Sequence, residues 1–239
     1  METVGAKELK VRRRRLRPEE NPIRIVLIRH GKPDVGRSRW LSHKKFQDFI
    51  DQYERAGLDP ENLPPDWLME LVRQARRVFA SDRPRARESA RALAPHAEVK
   101  QSPLFMEAQL KSPRLPLVRL KPAAWAILAR VAWHAGHHGG IEDFGDAKDR
   151  AERAVDMLGQ VAQEDGIAVL VAHGYFNAIV GRTLRKRGWR RYGGRHRAKY
   201  WNAVVYERKG LSRADQYSVT IVSSAGRGRS TSGSAGCPM

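Results

Sequence analysis

Two histidines of this 239-residue chain stand in the same setting. His30 follows the run Ile23-Arg24-Ile25-Val26-Leu27-Ile28 and Arg29, and precedes Gly31. His173 follows Ile167-Ala168-Val169-Leu170-Val171-Ala172 and precedes Gly174. Short β-branched runs of this kind are buried strands, and a glycine after the histidine lets backbone turn sharply and come close to a ligand. A third apolar stretch, Val78-Phe79-Ala80, ends at Ser81. Arg85 then falls in the first turn of a predicted helix, where free N–H groups form an anion site. Arg29, His30, Arg85 and His173 would thus share one pocket. Two guanidiniums and two imidazoles, with no metal-binding carboxylate cluster, suit a phosphoryl group. Each piece alone has an ordinary use: His-Gly describes many turns, and a first-turn arginine usually sits in water.

The elements that must position these residues alternate along the chain. Helices are predicted over 46–55, 66–77, 85–93, 123–133, 143–163 and 177–186, with Asp82 as N-cap of the third and Pro84 in its first turn. Strands are predicted over 23–28, 78–80, 97–100, 167–172 and 203–206, with a last edge strand over 217–222. This pattern implies a three-layer α/β/α sandwich around a mostly parallel central sheet. In such sheets ligands bind at the carboxyl ends of the strands, where both histidines fall. Residues 1–21, with Arg12 to Arg15, read as a flexible basic arm, 22–222 as the folded domain, and 223–239 as a low-complexity, disordered tail.

Composition narrows the function classes. Hydrophobic residues make up 41%, enough for a core, which excludes wholesale disorder. No apolar run approaches the ~18 residues of a membrane helix, and the charged N-terminus lacks the apolar stretch of a secretory signal. The single cysteine, Cys237, cannot form an internal disulfide, so a cytoplasmic setting is expected. Forty-five Lys and Arg against 26 Asp and Glu give +19, a field that attracts phosphorylated metabolites, nucleic acid or anionic lipid.

The residues at the strand ends resemble the histidine phosphatase, or phosphoglycerate mutase-like, superfamily. Leu27-Ile28-Arg29-His30-Gly31 matches its hallmark Arg-His-Gly after the first strand. Ser81, Arg85-Ala86 and Ser89-Ala90 match its second block, and His173-Gly174 its late His-Gly. Leu104-Phe105-Met106-Glu107 matches the family's acidic block with one extra residue in the spacing. The order agrees, and the resemblance covers residues 22–208. It implies that His30 attacks phosphorus and forms a phosphohistidine, with its other ring nitrogen bonded to a backbone carbonyl in the Gly31 turn. It implies that Arg29, Arg85, His173 and the Gly174 turn hold the phosphate oxygens. Glu107 is then the catalytic acid and base, in a pocket that favours its protonated form. Ser81 and Ser89 are expected to cap and pack.

No cofactor or metal is implied. His134, His137, His138, Glu142 and Asp143 lie close in sequence, but their spacing matches no familiar metal pattern, so a polar loop is expected. Residues 35–72 and the segment between Glu107 and His173 are candidates to cover the pocket, with His43, Lys44, Lys45 and Lys111 as candidate substrate contacts. Three functions remain open: a phosphomonoesterase acting on a small phosphorylated substrate, a phosphoglycerate mutase-type phosphoryl transfer, and a catalytically weak polyanion-binding member. Lys32-Pro33-Asp34 after Arg-His-Gly differs from the residues of true mutases and favours the first. Residues 182–199 favour the last, with nine Lys and Arg, no acid, and Trp189, Tyr192 and His196 between them. Nothing in the sequence demands a particular oligomeric state.

Overall fold

A computed structural model describes residues 22–36, 40–137 and 139–209. The expected arm, the tail and the 217–222 strand lie outside the described residues. In chain order the elements are β1 (Pro22–Arg29), α1 (His43–Arg55), α2 (Asp66–Val72), β2 (Arg77–Ser81), α3 (Pro84–Leu93) and β3 (Glu98–Ser102). A 3₁₀ turn (Pro103–Phe105) precedes α4 (Pro122–His134), α5 (Phe144–Asp165), β4 (Ile167–Ala172), α6 (Gly174–Lys186), β5 (Arg190–Gly193) and β6 (Ala203–Lys209). The six strands form one sheet in the order β3-β2-β4-β1-β6-β5. β3, β2, β4 and β1 run parallel, whereas β6 is antiparallel to β1 and β5 antiparallel to β6.

The sheet explains why β1 and β4 read as unbroken apolar runs: both of their faces are covered. Ile25 and Leu27 of β1 point to one face and pack with Leu158 of α5 and Phe176 and Ile179 of α6. Val26 and Ile28 point to the other and pack with Leu68 and Val72 of α2 and Leu93 of α3. All six residues of β4 are buried, and complete burial of each Val, Leu or Ile there contributes ~1.5–3 kcal/mol. A third, smaller cluster lies apart from the sheet, where Phe46 of α1 stacks on Trp125 of α4 at 5.6 Å between ring centroids.

Three local expectations change. The 66–77 helix stops at Val72, because Arg77 must enter β2, where it is anchored to Glu164 at 2.6 Å and Asp165 at 2.8 Å. The cap position of α3 is Arg83 rather than Asp82. Ser81 supplies the nearby acceptor, its Oγ taking the Arg83 N–H at 3.3 Å. β5 was not foreseen, since its residues do not alternate and pair through backbone with β6. Asp143 caps α5 reciprocally with Asp146, each side chain bonding the other's backbone N–H. Among the described residues no helix is long and apolar enough to cross a membrane.

Candidate active site

β1 and β4 are neighbours, with Arg29 in register with Ala172. The next residue on each strand is a histidine, so the two imidazoles meet at the carboxyl edge with centroids 5.1 Å apart. Gly31 is needed here for space rather than for a left-handed φ. A Cβ on it would lie 2.4 Å from Leu58 Cδ1 and 2.5 Å from the Trp201 ring. Ser89 of α3 fixes the turn, accepting the Gly31 N–H at 2.9 Å and donating to the Arg85 carbonyl at 2.6 Å. Asn177 of α6 ties the strand end by donating to the Ile28 carbonyl at 3.0 Å.

His30 is 1% exposed. Its Nδ1 lies 2.6 Å from the Gly31 carbonyl oxygen, so Nδ1 carries the proton and donates. Nε2 then keeps its lone pair, toward which Arg85 Nε donates at 3.3 Å. Arg85, itself 1% exposed, also reaches His173 Nδ1 at 3.4 Å, the Tyr53 carbonyl at 2.7 Å and Glu54 Oε1 at 2.9 Å. Because Arg85 can only donate, His173 Nδ1 is an acceptor, and its proton sits on Nε2. That Nε2 is buried and has no partner among the described residues, leaving a donor for an oxygen of a bound group. Arg29 extends over the Tyr200 ring at 4.9 Å, and Gly174 leaves room for it: a Cβ there would touch Arg29 Cδ at 3.4 Å.

Glu107 reaches the site from the loop after the 3₁₀ turn. Its Oε1 accepts the N–H groups of Phe176 at 2.8 Å and Ala108 at 3.1 Å, and its Oε2 that of Tyr175 at 3.2 Å. It therefore sits on the N-terminus of α6, its two oxygens accepting three backbone N–H groups. Arg130 of α4 bonds the Ala108 carbonyl at 2.7 Å and stacks on Tyr175 at 4.0 Å. Arg150 of α5 bonds the carbonyls of Leu104 at 3.0 Å and Met106 at 2.7 Å while gripping Glu142 with two nitrogens. Replacing Arg150 by methionine strands Glu142 and two carbonyls. It is expected to cost about 3 kcal/mol of stability, read by urea unfolding, with lysine failing to restore it because one ammonium cannot serve all these acceptors.

Sequence reasoning missed Tyr53, Glu54 and Tyr200. Glu54 closes α1 against Arg85 and Arg83, the latter at 2.8 Å. Nothing in its sequence neighbourhood marks it, because its place depends on how α1 packs. The other expected substrate contacts are not gathered at the histidines: Lys111 donates to the Gly139 carbonyl at 2.6 Å, and His43 opens α1. Of the 134–143 cluster, His138 lies outside the described residues. His134 lies 2.5 Å from the Tyr175 hydroxyl, and among the described residues no three potential metal ligands converge.

Two imidazoles are held neutral. His173 lies well below its ordinary value of 6.5, first by burial and then by Arg85, His30, Arg29 and Arg83. His196 is lowered to about 4, by burial and then by Arg191, Arg185 and Arg182. In the unfolded chain each binds a proton near ~6.5. Below that pH the unfolded state holds more protons, so stability falls as pH drops from ~6.5 toward the native values. The urea midpoint is expected to decline steadily from pH 6.5 to 4, and His196→Gln to flatten part of that decline. An unchanged slope in the variant would mean that His196 is charged in the native state.

A cleft of about 890 Å³ opens above the strand ends, walled by α1, α4 and the start of α6, with Arg29, Glu107 and Gly174 in its lining. The arrangement offers a neutral nucleophilic nitrogen, cationic and N–H donors around it, and a carboxylate at the cleft wall, which together can perform phosphoryl transfer.

Residues 66–212 match the family model of the histidine phosphatase superfamily (branch 1). No curated protein matches the chain. Among solved structures, mycobacterial glucosyl-3-phosphoglycerate phosphatase is similar at 23% identity and TM-score 0.44, over 69% of this chain and 80% of that one. The ecdysone phosphate phosphatase of Bombix mori is similar at 13% identity and TM-score 0.47, over 90% and 97%. Phosphoserine phosphatase of Entamoeba histolytica is similar at 14% identity and TM-score 0.44, over 80% and 98%.

Proposed function

The chain belongs to the histidine phosphatase superfamily, and on that premise we propose that it is a metal-independent phosphomonoester hydrolase working through a phosphohistidine on His30, in the manner of the histidine acid phosphatases. The observation that carries this is the imidazole of His30, whose Nδ1 is committed to the Gly31 carbonyl and whose Nε2 lone pair is turned toward Arg85 and His173. In the first step the Nε2 lone pair forms the N–P bond while the ester P–O bond breaks. The leaving oxygen takes its proton from the Glu107 carboxyl. In the second, Glu107 takes a proton from water, the water oxygen bonds phosphorus, and the N–P bond breaks to release inorganic phosphate. Arg29, Arg85, the His173 Nε2–H and the backbone at Gly174 hold the phosphoryl oxygens as charge spreads over them.

The test is hydrolysis of p-nitrophenyl phosphate in mildly acidic buffer with EDTA, combined with rapid trapping under alkali of protein-bound phosphate that acid releases. Turnover with a trapped phosphoenzyme supports the proposal. Turnover that yields no acid-labile phosphoenzyme and that EDTA abolishes overturns it. The single cysteine leaves the cytoplasm as the setting this activity fits.

A second function has its own observation. Of the nine Lys and Arg over 182–199, Arg187 alone is ion-paired to carboxylates among the described residues, and Arg190, Arg191, Arg195 and Arg197 are exposed along β5 and the loop after it. We propose that this edge also contacts polyanions. RNA binding should weaken steeply between 50 and 200 mM salt, roughly a decade or more for a few phosphate contacts. Arg190→Glu with Arg191→Glu should remove it, and binding that ignores both salt and charge reversal would rule it out.

A further inference from the structure

The cleft above the strand ends is larger and more apolar than a phosphate needs. Its volume, about 890 Å³, lies near the top of the ~300–1,000 Å³ that encloses drug-sized ligands. Ile127 and Val131, one turn apart on α4, both line it and remain 68% and 62% exposed. Phe49 and Ile50 of α1 face them across the cleft, and Leu110 and Ala126 line it between. Two of its cations are already engaged: Arg83 pairs with Glu54, and Arg130 bonds the Ala108 carbonyl and stacks between Tyr175 and Trp133. Arg29, Gly174 and Glu107 belong to the same lining, so a phosphate held by Arg29 leaves its alcohol within these walls. A small polyol there would keep Ile127 and Val131 wet, whereas an apolar alcohol displaces that water.

We propose that the substrate is the phosphate monoester of a bulky apolar alcohol, a long alkyl or fused-ring group that lies between α1 and α4. This rests on the hydrolase assignment above. The experiment compares octyl phosphate with glycerol phosphate, two esters of primary alcohols, by kcat/KM. In parallel, calorimetry compares binding of the non-hydrolysable octylphosphonate and methylphosphonate. Octyl phosphate is expected to be preferred by about 30-fold or more, and octylphosphonate to bind at least about tenfold tighter, since each buried methylene adds several-fold. Ile127→Asp, at an exposed position, is expected to shrink both ratios about tenfold, and Val131→Asp provides an independent second variant. Hydrolysis of both esters with equal efficiency, or a preference for 3-phosphoglycerate over octyl phosphate, overturns the apolar substrate and spares the hydrolase. Tight octylphosphonate binding without any hydrolysis overturns the hydrolase and supports the apolar cleft. Ratios unmoved by either aspartate also overturn the proposal, because the occupant then does not lie against α4.

Discussion

Replacing His30 by alanine or asparagine is expected to lower kcat on p-nitrophenyl phosphate by at least about 10⁴-fold, as loss of a nucleophile does elsewhere. The two variants separate chemistry from structure. Alanine removes the whole imidazole and leaves Arg85 Nε without the acceptor it has at 3.3 Å. Asparagine keeps an N–H where Nδ1 now donates to the Gly31 carbonyl at 2.6 Å, so it preserves the turn while removing the Nε2 lone pair. If both variants melt near the parent temperature and neither forms the trapped phosphoenzyme, the missing nitrogen accounts for the loss. If asparagine keeps more than about a hundredth of the activity, far above the residue left after loss of a nucleophile, another group attacks phosphorus. The burial of His30, His173 and Arg85 around one point explains why the expected effect is so large. Without the imidazole no nucleophilic nitrogen remains beside Arg85 and His173, each 1% exposed, and the cationic surroundings stabilise a transition state that then has nothing to form it.

How much of this could be read from residues alone follows from what each position depends on. β1 and β4 were legible because strands covered on both faces must be apolar throughout, and 167–172 was placed to the residue. The adjacency of His30 and His173 was legible too, since two parallel strands that end alike bring their following residues together. Glu54 was not. It lies in the last turn of α1, and only the packing of α1 against α4 through Phe46 and Trp125 delivers it to Arg85. The same is true of Tyr53, which stacks under Arg85 at 4.5 Å, and of Tyr200, which reaches Arg29 from an irregular segment. β5 was hidden for a different reason. Its stabilisation comes from backbone pairing with β6, so its side chains carry no alternation, and exposed arginines resemble a solvated loop. The 66–77 overrun shows a tertiary contact overriding local preference. Residues 73–76 are good helix formers, but the ion pairs of Arg77 pull the chain into the sheet.

Glu107→Gln is expected to slow phosphoryl transfer from alkyl esters by about 10³-fold while slowing transfer from p-nitrophenyl phosphate by less than about tenfold. An alkoxide cannot leave without a proton, whereas p-nitrophenolate can. The comparison must be made on the first turnover, by the burst of product, because the second step also uses Glu107 and would slow equally for both esters. Glutamine suits the purpose. Its carbonyl oxygen can still accept from Phe176 and Ala108, the two shorter contacts, so the group keeps its seat on the N-terminus of α6. On the proposed mechanism Oε2, which accepts the longer contact from Tyr175 at 3.2 Å, is the oxygen expected to exchange a proton with substrate. Arrival of the phosphate dianion puts a second negative charge beside Oε2, which favours proton uptake there. Phosphate binding should therefore draw a proton from a weakly buffered solution in the parent protein and not in Glu107→Gln. Equal slowing of both esters, with no difference in proton uptake, would make Glu107 a group that positions α6 rather than one that moves a proton. The hold of Arg150 on Leu104 and Met106 would then serve the helix start instead of the chemistry.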